Sequence, residues 1–151
     1  MTAIHRLAVC VLFALVPAAL ADEKADKEAF KSIEGKYKII GLEKEKQKIT
    51  EDELKKVPKP EILNVEIKDG MIIANFSGKP DEATLKIDAS KSPMWVDITS
   101  KKEKPEVDYG IFKIEKDVLT ICAAEKGKEA DRPKEFKAIG NVMIMTLRKQ
   151  K

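Results

Sequence analysis

Apolar and polar residues alternate on both sides of an Asp-Gly pair near the middle of the chain, at Asp69 and Gly70. Asp-Gly is the two-residue turn that matches the twist of a β-hairpin, so the residues before and after it are expected to pair. A shift of one residue would move every apolar side chain to the solvent side, which makes the register well determined. One face of this hairpin is predicted to hold three apolar pairs: Leu63 with Phe76, Val65 with Ala74, and Ile67 with Ile72.

The same alternation predicts strands along the rest of the chain. Residues 109–114 and 118–122 form a second predicted hairpin, whose turn is centred on either Glu115–Lys116 or Lys116–Asp117. With either turn, one face carries Phe112, Ile114, Leu119 and Ile121. The remaining predicted strands lie around 37–39, over 83–87, over 94–98, and on both sides of a third turn at Gly140–Asn141, over 136–138 and 143–145.

One short helix interrupts the strands. Thr50 and Glu53 have the spacing of a capping box, acidic residues occupy the first turn, and Pro58 and Pro60 end the segment after at most two turns. This helix follows the first predicted strand. Successive hairpins with one apolar face predict an all-β antiparallel meander of about eight strands, and such a meander hides its edge strands by closing into a β-barrel.

The first 21 residues have a different pattern. A basic start is followed by an apolar run over 7–16 and by small residues that end at Ala21. The run is too short to span a bilayer core of about 30 Å, so it predicts a secretory signal peptide over 1–21, cleaved after Ala21. An uncleaved anchor or a buried helix is the alternative. Cleavage would leave a charged N-terminal segment over 22–32 and a barrel domain over 33–151, exported to the periplasm or the extracellular space, with no transmembrane segment.

Removal of the signal peptide changes the chemistry that the chain offers. It takes away the single histidine, His5, and one of the two cysteines, together with one of the 29 basic residues and none of the 26 acidic ones. The remaining chain is nearly neutral, and its lysines lie close to acidic residues, which is typical of a solvated surface and not of a nucleic-acid site. Without histidine, Ser-His-Asp and Cys-His catalysis and imidazole-based zinc sites are excluded. No enzyme activity, metal or cofactor is therefore predicted.

Two groups of residues have alternative interpretations. Cys122 lies in a predicted strand, where a buried thiol is expected, and an intermolecular disulfide is the alternative. Asp88, Asp97, Asp108 and Asp117 could pair as acid and base, but such residues more commonly lie at strand ends and turns. Their spacing matches no calcium-binding loop.

Several ordered motifs resemble one known family. They are Glu-Gly-Lys-Tyr at 34–37, Pro-Met-Trp-Val-Asp-Ile at 93–98, the stretch from Tyr-Gly-Ile-Phe to Leu-Thr-Ile-Cys at 109–122, Asp-Arg-Pro-Lys-Glu-Phe at 131–136, and Leu-Arg at 147–148. Together they are similar to a lipocalin-like domain family found in exported planctomycete proteins, over most of the chain after residue 21. The resemblance implies a lipocalin-like β-barrel, and the family has no established activity.

Two positions depart from the pattern of that family. Tyr37 stands where the family usually has Trp, which keeps a large ring at the barrel floor. Lys116 stands where Gly is usual, and since a non-Gly residue rarely adopts positive φ, this turn is expected to be longer or of another type.

The expected function is binding and not catalysis. An eight-stranded barrel is just wide enough to be filled by side chains or to hold one small ligand. The favoured hypothesis is an exported, monomeric, lipocalin-like binding protein with a small apolar ligand; the alternative is a cell-envelope interaction or inhibitor module with a filled barrel. Arg132 and Arg148 either orient a ligand carboxylate at the barrel mouth or tie strand ends together, and Trp95 is expected to pack in the core. The predicted cavity residues are Tyr37, Leu63, Val65, Ile67, Ile72, Ala74, Phe76, Phe112, Ile114, Leu119 and Ile121.

Overall fold

The computed structural model describes residues 18–75 and 79–151. The predicted signal peptide lies outside these residues except for its last four, and the predicted cavity residue Phe76 lies outside them too. Within the described ranges, no helix is long and apolar enough to cross a membrane.

Strands are the main regular structure of the described residues. Over 18–75 and 79–151 there are two α-helices, α1 over Ala18–Ile33 and α2 over Glu51–Leu54, with short 3-10 helices at Pro60–Leu63 and Glu129–Asp131. The strands are β1 Gly35–Lys44, β2 Gln47–Ile49, β3 Asn64–Lys68, β4 Met71–Ala74, β5 Asp81–Asp88, β6 Met94–Ser100, β7 Val107–Glu115, β8 Val118–Ala124 and β9 Val142–Lys149.

Eight of these strands close into an antiparallel barrel, which confirms the predicted fold class. From β3 to β9 each strand pairs with the next, and β1 completes the ring by pairing with both β3 and β9. Strand β2 pairs with the last residues of β1 as one extra strand. Helix α2 follows β1 and β2, and its capping residue behaves as the sequence predicts, because the backbone N–H of Thr50 donates to Oε2 of Glu53 at 2.8 Å.

The two predicted hairpins have the expected registers. Val65 pairs with Ala74 across the Asp-Gly turn, and Glu115 pairs with Val118 across the other. The second turn is therefore Lys116–Asp117 and is no longer than two residues. Lys116 adopts a φ of 60°, so this lysine takes the left-handed conformation that usually favours glycine.

Helix α1 includes the charged N-terminal segment over 22–32, for which the sequence predicted no helix. Its exposed face carries ion pairs one turn apart, Lys27 with Glu23 at 2.8 Å and Lys24 with Glu28 at 3.9 Å. Its other face places Ala29, Phe30 and Ile33 against the barrel core. The helix runs through the predicted cleavage point at Ala21.

The predicted strand over 136–138 is wrong. These residues form no strand, because β9 already pairs with β8 along one edge and with β1 along the other. The segment instead lies against the outside of the barrel, where Phe136 packs on an apolar cluster built around Ile111 and Cys122.

Candidate functional site

The interior of the barrel is packed at the end where β1 begins, which we call the closed end. Strand alternation points one side chain in two inward, and those near the closed end are large. Tyr37, Val65, Ile67, Phe112 and Leu119 are all at most 3% exposed, so this half of the barrel leaves no space for a ligand.

Helix α1 covers the closed end and is tied to it by hydrogen bonds. The Tyr37 hydroxyl donates to the backbone carbonyl of Ile33 at 2.8 Å, and burial raises the pKa of this phenol above its usual value. The Asp26 carboxylate accepts the backbone N–H of Ala89, in the turn between β5 and β6, at 2.7 Å. The sequence predicted a large ring at the barrel floor, and Tyr37 also anchors the covering helix.

The opposite half of the barrel, the open end, is hollow. It holds a cavity of about 610 Å³, within the range of about 300 to 1,000 Å³ that is typical of small-ligand sites. The inner wall of this cavity is apolar and includes small side chains. Its apolar lining consists of Leu42, Ile72, Ala74, Ala83, Ile98, Ile121, Ala123, Met143 and Met145.

The rim of the cavity is charged, and most of its carboxylates have a lysine partner. Glu106 pairs with Lys126 at 3.1 Å. Three further carboxylates of the rim pair with lysines in the same way: Asp81 with Lys102 at 4.0 Å, Glu82 with Lys101 at 3.5 Å, and Glu125 with Lys44.

Asp108 differs from the other carboxylates of the rim. It lines the cavity and is partly buried, and among the described residues it has no ion-pair partner within 4 Å. Its Oδ1 accepts the backbone N–H of Lys126 at 2.7 Å. Desolvation raises the pKa of this carboxyl, and repulsion from Glu125 and Glu106 acts in the same direction.

Three of the predicted cavity residues line the hollow half: Ile72, Ala74 and Ile121. Six others belong to the packed core or its edge, where they form the floor beneath the cavity: Tyr37, Leu63, Val65, Ile67, Phe112 and Leu119. Ile114 packs against the same core from a partly buried position, and Phe76 is outside the described residues. Sequence reasoning missed Leu42, Ala83, Ile98, Ala123, Met143 and Met145. Five of these residues continue the inward alternation of their strands, whereas Leu42 faces inward because a β-bulge between Ile39 and Gly41 shifts the alternation of β1.

The two arginines lie away from the cavity. Arg132 covers the outer face of β6 and β7, where its Nη2 bonds Oδ1 of Asp97 at 2.6 Å and its Nη1 donates to the carbonyl of Gly110 at 2.8 Å. Its guanidinium stacks on Trp95, 4.4 Å from the ring centroid. Arg132 therefore ties parts of the barrel wall together and does not face a ligand. Trp95 lies on the outer wall instead of in the barrel core, where it was expected.

Arg148 lies near the closed end, also on the outside. It donates to Oε1 of Glu51 at 3.0 Å, which lowers the pKa of that carboxyl. Both residues line a small cavity of about 180 Å³ between α2 and the ends of β1 and β9. Arg148 therefore joins α2 to the barrel and does not face the interior.

Cys122 is fully buried on the outer wall beneath the segment that contains Phe136. Desolvation raises the pKa of its thiol to about 11. A thiol with this pKa remains protonated at neutral pH and is a poor nucleophile.

No group of three or more His, Cys, Asp or Glu side chains that could hold a metal ion occurs in the part of the chain that the structure describes. Comparison of the chain with protein-family models, with curated proteins and with solved structures found no match in any of the three.

Proposed function

We propose that this chain is an exported binding protein that holds one small, mainly apolar molecule in the open half of its barrel. The observation that carries the proposal is the cavity of about 610 Å³ and its apolar lining. A small ligand placed there would be surrounded by barrel walls and would remove apolar surface from water, which is the main source of affinity in such sites.

The alternative, an interaction module with a filled barrel, has less support. Side chains fill the closed half, but alanines at positions 74, 83 and 123 line the open half. Binding is preferred to catalysis because the chain after Ala21 contains no histidine and the buried Cys122 has a raised pKa of about 11.

Ligand binding can be tested with a variant in which a larger side chain fills the cavity. Ala83 is partly buried on the inner face of β5 and lines the cavity, whereas its neighbour Thr84 points outward and is exposed. In Ala83→Phe, the new ring would occupy the space that a ligand needs. We expect the wild-type chain to bind the neutral fluorophore Nile red, and Ala83→Phe to weaken that binding by at least about tenfold, or 1.4 kcal/mol.

The matched control is Thr84→Phe, which adds the same ring to the outer wall and is expected to bind Nile red like the wild type. Circular dichroism and thermal unfolding establish that both variants are folded. Absence of Nile red binding to the wild type, or equal binding to both variants, would contradict the proposal.

We also propose that residues 1–21 direct export, on the strength of the basic start, the short apolar run and the small residues before Asp22. Mass spectrometry of the protein recovered from the periplasm or medium of an expressing bacterium is expected to show a chain that begins at Asp22. Recovery of a chain that begins at Met1 would contradict it. The relationship to the lipocalin-like family of planctomycete proteins is likewise a proposal, supported by the ordered motifs over 34–148.

A further inference from the structure

The charge at the mouth of the cavity is opposite in sign to the charge of the whole chain. The chain has a formal net charge of +3, yet the charged residues that line the cavity are five carboxylates and two lysines. The carboxylates are Asp81, Glu82, Glu106, Asp108 and Glu125; the lysines are Lys102 and Lys126. A cleft with low-dielectric walls and one dominant sign of charge concentrates the field on a ligand of the opposite sign.

Asp108 is the carboxylate of this set that is best placed to contact a ligand. The other four each have a lysine within ion-pair distance, whereas Asp108 has only the backbone N–H of Lys126 as a polar partner among the described residues. One hydrogen bond leaves most of the acceptor capacity of a carboxylate unused. Asp108 has the same strand parity as Phe112, so it projects to the inside of the barrel.

The apolar wall and this carboxylate lie in one cavity. Ile98 and Ala123 line it beside Asp108, on the strands that flank β7. A ligand that contacts both would need an apolar body and a positively charged group at one end.

We propose that the molecule bound in this cavity is a small amphiphilic cation, whose ammonium group pairs with Asp108 at the mouth while its apolar part lies against the inner wall. This inference rests on the proposed binding function and adds the chemical class of the ligand. The charges of Glu106 and Glu125 are balanced by Lys126 and Lys44, so the carboxylate of Asp108 supplies the negative charge that attracts the cation.

The experiment compares three probes with the same chain and different end groups: n-decylammonium, n-decanol and n-decanoate. Isothermal titration calorimetry at neutral pH measures their affinity for the wild-type chain from Asp22 onward, below the concentrations at which they form micelles. We expect n-decylammonium to bind most tightly and n-decanoate most weakly, because only the ammonium gains an ion pair. In Asp108→Asn, the affinity for n-decylammonium is expected to fall about tenfold, as for the loss of a charge-assisted hydrogen bond.

The control for Asp108→Asn is Asp52→Asn, which removes a carboxylate with 86% side-chain exposure on α2, outside the cavity. It is expected to leave all three affinities unchanged. Asp108→Asn is expected to keep the affinity for n-decanol within about twofold, since the apolar contacts remain.

The outcomes separate the two proposals. The assignment of a cation is wrong if n-decanoate binds as tightly as n-decylammonium. The apolar site still stands in that case, provided that n-decanol binds to the wild type and binds more weakly to Ala83→Phe. An equal loss of n-decanol and n-decylammonium affinity in Asp108→Asn also refutes the cation. If none of the three probes binds to the wild type, the proposed function itself fails.

Discussion

Replacement of Arg132 by alanine is expected to destabilise the barrel strongly, although Arg132 lies outside the packed core. The side chain of this arginine is 7% exposed and that of its partner Asp97 is 26% exposed. Its guanidinium bonds the Asp97 carboxylate and the carbonyls of Val96 and Gly110, and it stacks on the ring of Trp95. One side chain thus connects the loop after β8 to two neighbouring strands.

The size of the expected loss of stability follows from the Asp97 carboxylate, which Arg132→Ala leaves without its partner. Removal of one partner of a buried ion pair costs about 3–5 kcal/mol, because the remaining charge is buried without compensation. Water reaches Asp97 through its exposed quarter, so we expect the lower end of this range, about 3 kcal/mol, for Arg132→Ala. Arg132→Lys keeps the charge but loses the fork that bonds two partners at once, and we expect a loss of about 1.5–3 kcal/mol.

The assay is urea unfolding of the chain from Asp22 onward, followed by the emission of Trp95, the single tryptophan, and by circular dichroism. The coupling between Arg132 and Asp97 is measured with Asp97→Ala and the double variant, and we expect a coupling free energy of about 2 kcal/mol. Arg148→Ala is the matched control, because Arg148 also pairs with a carboxylate, that of Glu51, but is 45% exposed, and little change in stability is expected. A loss of less than about 1 kcal/mol in Arg132→Ala would refute the reasoning, since that is the range of a surface pair.

Three further predictions concern single groups. Tyr37→Phe removes the hydrogen bond to the carbonyl of Ile33 and is expected to cost about 1 kcal/mol in urea unfolding and to speed proteolysis within α1; unchanged cleavage would contradict an anchoring role. Cys122, with a pKa raised to about 11, is expected to react with a thiol reagent only as fast as the chain unfolds, and to give monomer on non-reducing gels; dimer that dithiothreitol collapses would contradict this. Asp108 has a raised pKa in the folded chain, so its carboxyl binds a proton more tightly in the folded state than in the unfolded state. The chain therefore loses stability as the pH rises from the ordinary carboxyl pKa through the raised pKa of the folded state. Asp108→Asn is therefore expected to stabilise the chain at neutral pH and to lose that advantage at a pH below the ordinary carboxyl value, and an equal effect at both pH values would contradict this assignment.

The hairpins could be predicted from the sequence because turn chemistry and alternation determine them locally. Asp69 and Gly70 adopt φ values of 51° and 78°, the left-handed conformations that an Asp-Gly hairpin turn requires. The pairing of Ile67 with Ile72 then follows from the need to keep apolar residues on one face.

Elements that depend on distant partners were harder to predict. Residues 136–138 have the composition of a strand, but β9, their expected partner, has no free edge because it pairs with β8 and β1. Helix α1 has a narrow apolar face, with Ala29 and Ile33 one turn apart. Most residues around them are charged, so the apolar spacing was not recognised as that of a helix. Arg132 illustrates the same limit, because only the return of the loop after β8 brings it beside Asp97.

The position of the cavity follows from side-chain size, which alternation alone does not reveal. Inward side chains alternate along the strands of both halves, but those of the closed half include Tyr37 and Phe112, whereas alanine occupies inward positions 74, 83 and 123 of the open half. An eight-stranded barrel with small inward residues at one end is therefore hollow at that end.

Asp108 is an exception to the inward pattern of β7, where Phe112 and Ile114 are apolar. A carboxylate on the inner face must be desolvated in part, which disfavours its charged form and raises its pKa. Packing alone would favour an apolar residue at this position, because nearby Ile98 and Ala123 already form an apolar wall. A residue that reduces stability while facing a cavity is typical of a binding site, where the missing interactions come from the ligand. The stability effect of Asp108→Asn and its effect on n-decylammonium binding should therefore have opposite signs in the same variant.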